Sequence, residues 1–153
     1  MHSLLPRRKE ERKQMTVTNL NSLYEIAENN NIAVYSFDTA TVPSLSVQTK
    51  SGSFIGINPM MLSSEQEEMV CLAHELGHCI NGAFYNTYSP FDIRKKHETK
   101  ADIWAIKKLI PKNELIKQYK KGNVTNEELA DYFGVSIAFL EKALAYYTEK
   151  RTI

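Results

Sequence analysis

Between Thr16 and Ile57 the apolar positions change period twice, and beyond Ser64 they keep a helical one. Leu20, Leu23, Tyr24 and Ala27 recur at the three-to-four-residue step of an amphipathic helix, which the polar run Asn29-Asn30-Asn31 ends. Residues 32–37 are β-branched and aromatic and predict a strand. Residues 45–49 and 53–57 flank Lys50-Ser51-Gly52 and predict a hairpin, after which Pro59 bars continuation as a central strand. Ser64 and Glu67 have the spacing of a capping box and open a helix with the apolar stripe Met69, Ala73, Leu76, Ile80. Residues 81–92 predict a loop. A second long helix, apolar on two sides and therefore expected to be central, runs from about Asp92 to Leu109 and stops before Pro111. Three short helices follow, punctuated by Gly122 and Gly134. The expected class is α+β: a small three-stranded sheet with an N-terminal helix, two long helices and a helical tail over residues 112–153.

The chemistry concentrates in the first long helix, at His74-Glu75-Leu76-Gly77-His78. Positions i and i+4 of a helix share a face one turn apart, so both imidazoles can hold one ion, and Glu75 lies where it can take a proton from a water. The buried stripe runs beside that face, where two imidazoles without partners would be costly. A catalytic zinc site needs a third protein ligand and an open position. Glu98, on the second long helix, is the candidate; Asp102, one turn on, is suited to accept the outer N–H of a ligand histidine. The reverse assignment, Asp102 as ligand and Glu98 as support, leaves the chemistry unchanged. His97, Tyr85 and Tyr88 are rival donors for a developing oxyanion. Cys71 and Cys79 are expected to be small buried hydrophobes.

These residues, with Glu98-x-x-Ala101-Asp102 and the apolar end Leu109-Ile110-Pro111, resemble the ImmA/IrrE family of metallopeptidases over most of residues 16–150. The resemblance implies a zincin-like fold with one Zn²⁺ per chain, held by His74, His78 and Glu98, with Glu75 as catalytic base. It also implies an intracellular protein, bacterial or phage-encoded, that cleaves a helix-turn-helix repressor of a prophage or mobile element and so derepresses genes. Residues 16–153 would then form the metallopeptidase domain. Phe54, Ile55, Gly56 and Ile57 are expected to lie in an edge strand by the cleft, where an extended substrate adds by backbone hydrogen bonds. Gly56 there would permit close approach of the substrate backbone or mark a bulge.

Composition adds exclusions. The chain is 42% hydrophobic and 24% charged, as in an ordinary folded domain, and has no run of 18 apolar residues to span a membrane. Two cysteines make no disulfide framework, which favours a reducing cytoplasm. The net charge of +1 argues against a general nucleic-acid or membrane binder. Residues 1–14 are an exception: five cations against two carboxylates mark 1–15 as a basic, disordered extension. Thr125-x-x-Glu128, Gly134 and Ser136 have helix-turn-helix grammar. Residues 136–149, however, carry one lysine against two glutamates, so direct DNA binding is not expected. The rival readings are a non-proteolytic regulator with a structural or regulatory metal site and a DNA-binding tail, and a toxin–antitoxin component that only binds its partner.

Overall fold

The computed structural model describes residues 17–38, 41–86 and 88–150; the basic extension 1–15 lies outside the described residues. Helix α1 (Leu20–Asn29) opens on a reciprocal cap, the Asn19 side chain accepting from the Ser22 N–H and the Ser22 hydroxyl from the Asn19 N–H, and buries Leu23 and Ala27. Three strands follow: β1 (Ala33–Ser36), β2 (Ser44–Thr49) and β3 (Gly52–Ile57). They form a mixed sheet in the order β1-β3-β2, with β1 parallel and β2 antiparallel to β3.

This order corrects one expectation. Phe54, Ile55, Gly56 and Ile57 lie in the central strand, not at an edge. Residues 55–57 are the most buried stretch of the sheet, whereas β2, Ser-Leu-Ser-Val-Gln-Thr, is exposed over its second half and suits a solvated edge. Gly56 therefore makes room for no substrate: a Cβ there would come within 2.7 Å of the Phe37 ring, which fills that space. The strand edge beside the cleft belongs to β2.

After a 3₁₀ turn at Pro59–Met61 come the two long helices, α2 (Glu65–Asn81) and α3 (Phe91–Leu109). The Ser64 hydroxyl caps α2 by accepting from the Glu67 N–H, but the Glu67 carboxylate reaches the N–H of Ser63 rather than that of Ser64. Met69, Ala73 and Leu76 are buried as expected, whereas Ile80 is 39% exposed, the last turn of α2 turning His78 and Cys79 inward instead, and Gly82 then ends it at φ +58°. Helix α3 lies along α2 in the most extensive packing between any two elements. The chain ends in α4 (Lys112–Lys120), α5 (Asn126–Phe133) and α6 (Ile137–Glu149). Leu115, Phe133 and Leu140 are fully buried in the same core as Leu23, Ile55 and Leu72, so the tail closes the core rather than standing apart. Thr125 and Glu128 form a complete capping box, Gly134 takes φ +68°, and Ser136 caps α6, as the residue pattern predicts. Among the described residues no helix is long and apolar enough to cross a membrane.

Candidate metal centre

Helix α2 presents His74 and His78 on one side, and their rings meet edge to face with centroids 4.8 Å apart. Helix α3 brings Glu98 against both: Oε2 is 2.9 Å from His74 Nε2 and Oε1 is 3.1 Å from His78 Nε2. A glycine permits this approach. A Cβ on Gly77, between the two histidines, would lie 2.7 Å from the Ala101 carbonyl oxygen and 2.9 Å from its Cα. Only a residue without a side chain lets the α3 backbone come so close.

The outer nitrogens settle the tautomers. His78 Nδ1 is 2.6 Å from the Ala83 carbonyl oxygen, which can only accept, so this nitrogen carries the proton. His74 Nδ1 is 2.8 Å from Asp102 Oδ1 and donates in the same way. In the neutral rings both Nε2 atoms then bear lone pairs, and they point at each other across 3.1 Å with the Glu98 carboxylate beside them. Such a triangle of donors calls for a cation at its centre. Ligand atoms about 2.0–2.1 Å from a tetrahedral zinc sit roughly 3.3 Å apart; the separations of 2.9–3.1 Å are close to that requirement. The residues present fit the ion.

Proton affinities express the same need for positive charge. Burial pulls the His74 imidazole down, but its bonds to Asp102 and Glu98 outweigh that and raise it to about 9. The two histidines hold the Glu98 carboxyl far below the usual range. Asp102, which burial alone would raise, is kept low by His74 and by Lys142 of α6, whose ammonium lies 3.0 Å from Oδ2.

Glu75 is buried and makes no bond to this triangle; its Oε1 accepts from the Ser44 hydroxyl at 2.9 Å. An open cavity of about 440 Å³ joins these groups, lined by His74, Glu75, His78 and Glu98 on one wall and Val42–Ser46 and Ala83–Tyr85 on the others. Of the expected oxyanion donors, Tyr85 reaches the cavity and donates to Glu98 Oε1 at 2.7 Å; this bond, with burial, pushes its phenol up to about 12. His97 stacks on Tyr85 outside the lining, and Tyr88 is 94% exposed. Both cysteines are half-buried rather than buried, and desolvation raises their thiols, Cys79 to about 11. Three contributors carry no signal in residue order: Ser44 from the sheet edge, the Ala83 carbonyl and Lys142.

The family model described as the IrrE N-terminal-like domain, Peptidase M78, matches residues 23–145. The chain belongs to this peptidase family. No curated protein and no solved structure matches it. In this M78 peptidase the matched span runs from α1 into α6 and so includes every residue of the metal triangle, Glu75 and Ser44.

Proposed function

We propose that this M78 peptidase is a zinc-dependent endopeptidase acting in the cytoplasm on a helix-turn-helix repressor of a prophage or mobile element, and that cleavage derepresses the genes under that repressor. One observation carries the chemical part of this reading. Three lone-pair donors converge from two helices, while a fourth group, Glu75, stands beside them on the cavity wall without joining them. A structural metal site would have no use for a free carboxylate at its rim.

His74, His78 and Glu98 would hold the ion, with Asp102 and the Ala83 carbonyl keeping the two rings in register. Bound there, zinc lowers the pKa of a water and polarises a carbonyl. Glu75 accepts the proton of the attacking water and returns it to the departing amine. Ser44 occupies Oε1 of that carboxylate, which leaves Oε2 for the proton. The Tyr85 hydroxyl lines the cavity and would serve a developing oxyanion by turning its O–H away from Glu98 Oε1. An extended substrate would pair with the free edge of β2, whose first residues, Ser44–Ser46, line the cavity.

The test is co-expression of the wild type and of Glu75→Gln with the repressor encoded beside it, read by the intact mass of the repressor. Shortening by the wild type alone is the expected result. An intact repressor that co-purifies with the wild type would instead support the binding-only reading. Glu75→Gln should retain its zinc; cleavage by this variant would remove Glu75 from the role of base.

A further inference from the structure

Whole-chain neutrality conceals a separation of charge along the fold. Residues 91–121, which contain α3 and α4, carry ten cations against four carboxylates, a net +6. Residues 17–90 carry one cation against seven carboxylates, a net −6, and residues 122–150 two against five, a net −3. Two of the four carboxylates in the basic segment, Glu98 and Asp102, are occupied at the metal centre, and a third, Glu114, is engaged by Tyr132 and Lys117.

The cations of α3 are ordered. At about 100° per residue, Lys96, Lys100 and Lys107 fall within an arc of about 40°, on the side of the helix about 160° from Glu98 and Asp102. All three are exposed, and none makes an ion pair with another described residue. Lys107 and Lys112 together border an open cavity of about 440 Å³ walled by Tyr146 and Tyr147. Lys96 and Lys100 are like charges at i and i+4, a spacing that costs a helix about 0.2–0.5 kcal/mol. A solvated helix face ordinarily mixes signs and gains from such pairs; this one does the reverse.

We infer that the outer face of α3, continued by Lys112 of α4, docks on the phosphate backbone of duplex nucleic acid. Lysine is depleted at protein–protein interfaces but is a common phosphate contact. The large apolar side chains exposed on α3, Phe91 and Ile93, lie in its first turn, and none is exposed from Lys96 to Lys112 to anchor a protein partner along the lysine row. The stretch from Lys96 to Lys107 measures about 16 Å along the helix axis, enough to meet successive phosphates. Because this face lies opposite the metal triangle on the same helix, the docked protein keeps its cleft open. The contact is distinct from the acidic stretch at residues 122–150, and it depends neither on the metal nor on peptidase activity. Its contacts are to phosphate and carry no sequence preference.

The experiment measures binding of the full chain to a labelled duplex of mixed sequence by fluorescence anisotropy, over roughly 50–200 mM salt. Four neutralised phosphates predict a slope of log affinity on log salt of about −3.6. The triple variant Lys96→Gln/Lys100→Gln/Lys107→Gln should lose about three-quarters of that slope and at least tenfold in affinity at the low-salt end. Lys50→Gln, on the hairpin turn, should change neither. Matching circular dichroism and zinc content would show the triple variant folded. Three results would overturn the inference: no binding at low salt, the full slope kept by the triple variant, or equally tight capture of a polyglutamate peptide through the same lysines. The second would move the contact to the cations at residues 7–13, and the third would make the partner an acidic protein.

Discussion

Helices α2 and α3 hold one site between them but are built in opposite ways. Helix α2 buries Met69, Leu72, Ala73, Leu76 and Gly77 together with Glu75 and His78 and leaves His74 half-buried, so its functional groups are set by a helix anchored in the core. Helix α3 buries only Ala101, Ala105, Ile106 and Leu109; its first two turns are exposed and it starts at Pro90 without a side-chain cap. Glu98 is therefore held by its bonds to His74, His78 and Tyr85 rather than by packing. The comparison separates two ways of placing a ligand. On α2, position follows from hydrophobic burial, and on α3 it follows from a close backbone approach followed by polar contacts.

The sharpest way to break that arrangement is Gly77→Ala. The added methyl meets backbone atoms of α3, which cannot rotate aside, so the helices must part. We expect a loss of about 3 kcal/mol, at the upper end for overpacking, measured by urea denaturation of the metal-free protein. Zinc affinity should fall with it because Glu98 leaves the histidines. Unchanged stability and zinc content would show that α3 approaches α2 less closely than described.

Glu98→Gln separates the two helices' contributions. The amide keeps the volume and some hydrogen bonding but is a poor zinc ligand. Removing a direct ligand should lower zinc affinity by more than the roughly 10–100-fold lost with an outer-shell partner. The metal-free stability should move far less than in Gly77→Ala. Chelator competition reads the first quantity and thermal denaturation the second. Equal zinc affinity would transfer the third position to Asp102.

A smaller effect, confined to the metal-free protein, comes from pH. His74 is raised to about 9 from an ordinary 6.5. A raised base stabilises the folded state fully below its unfolded pKa and loses that contribution as pH climbs through the folded value. Metal-free stability should thus decline between about pH 6.5 and 9, by about 2 kcal/mol after allowing for partial solvent access. Zinc affinity should rise across the same window, since the proton and the ion compete for Nε2. Denaturation with chelator and with excess zinc at several pH values checks both signs; a metal-free stability that rises with pH would mean that burial, which disfavours the imidazolium, outweighs the bonds to Asp102 and Glu98 at His74.

Much of this was legible along the chain because it rests on local rules. Ser64, Thr125, Gly134 and Ser136 mark helix ends by backbone chemistry that involves no distant residue. The i, i+4 spacing of His74 and His78 places both rings on one side of any helix. Family resemblance pointed to Glu98 as the third ligand, and the structure brings it within 3.1 Å of both rings. The strand order was not legible. A hairpin pattern shows that β2 and β3 pair, but not which of them β1 will join, and that choice turned the expected substrate edge into the centre of the sheet.

Residue order thus determines the helices, their ends, the hairpin and the two imidazoles on one face, because each depends on interactions within a few residues. Tertiary packing alone decides the rest. It sets Ser44 on Glu75, 31 positions away, and Lys142 on Asp102, 40 positions away. It makes Gly77 the contact point of two helices and sends Tyr85, not Tyr88, into the cavity. It also packs the Glu98 side of α3 onto α2 and so leaves outward the lysine face that the helical period had already gathered, a separation of charge that a whole-chain sum of +1 averages away. Pairings at such separations follow from how the core closes, and local propensity carries no information about that closure.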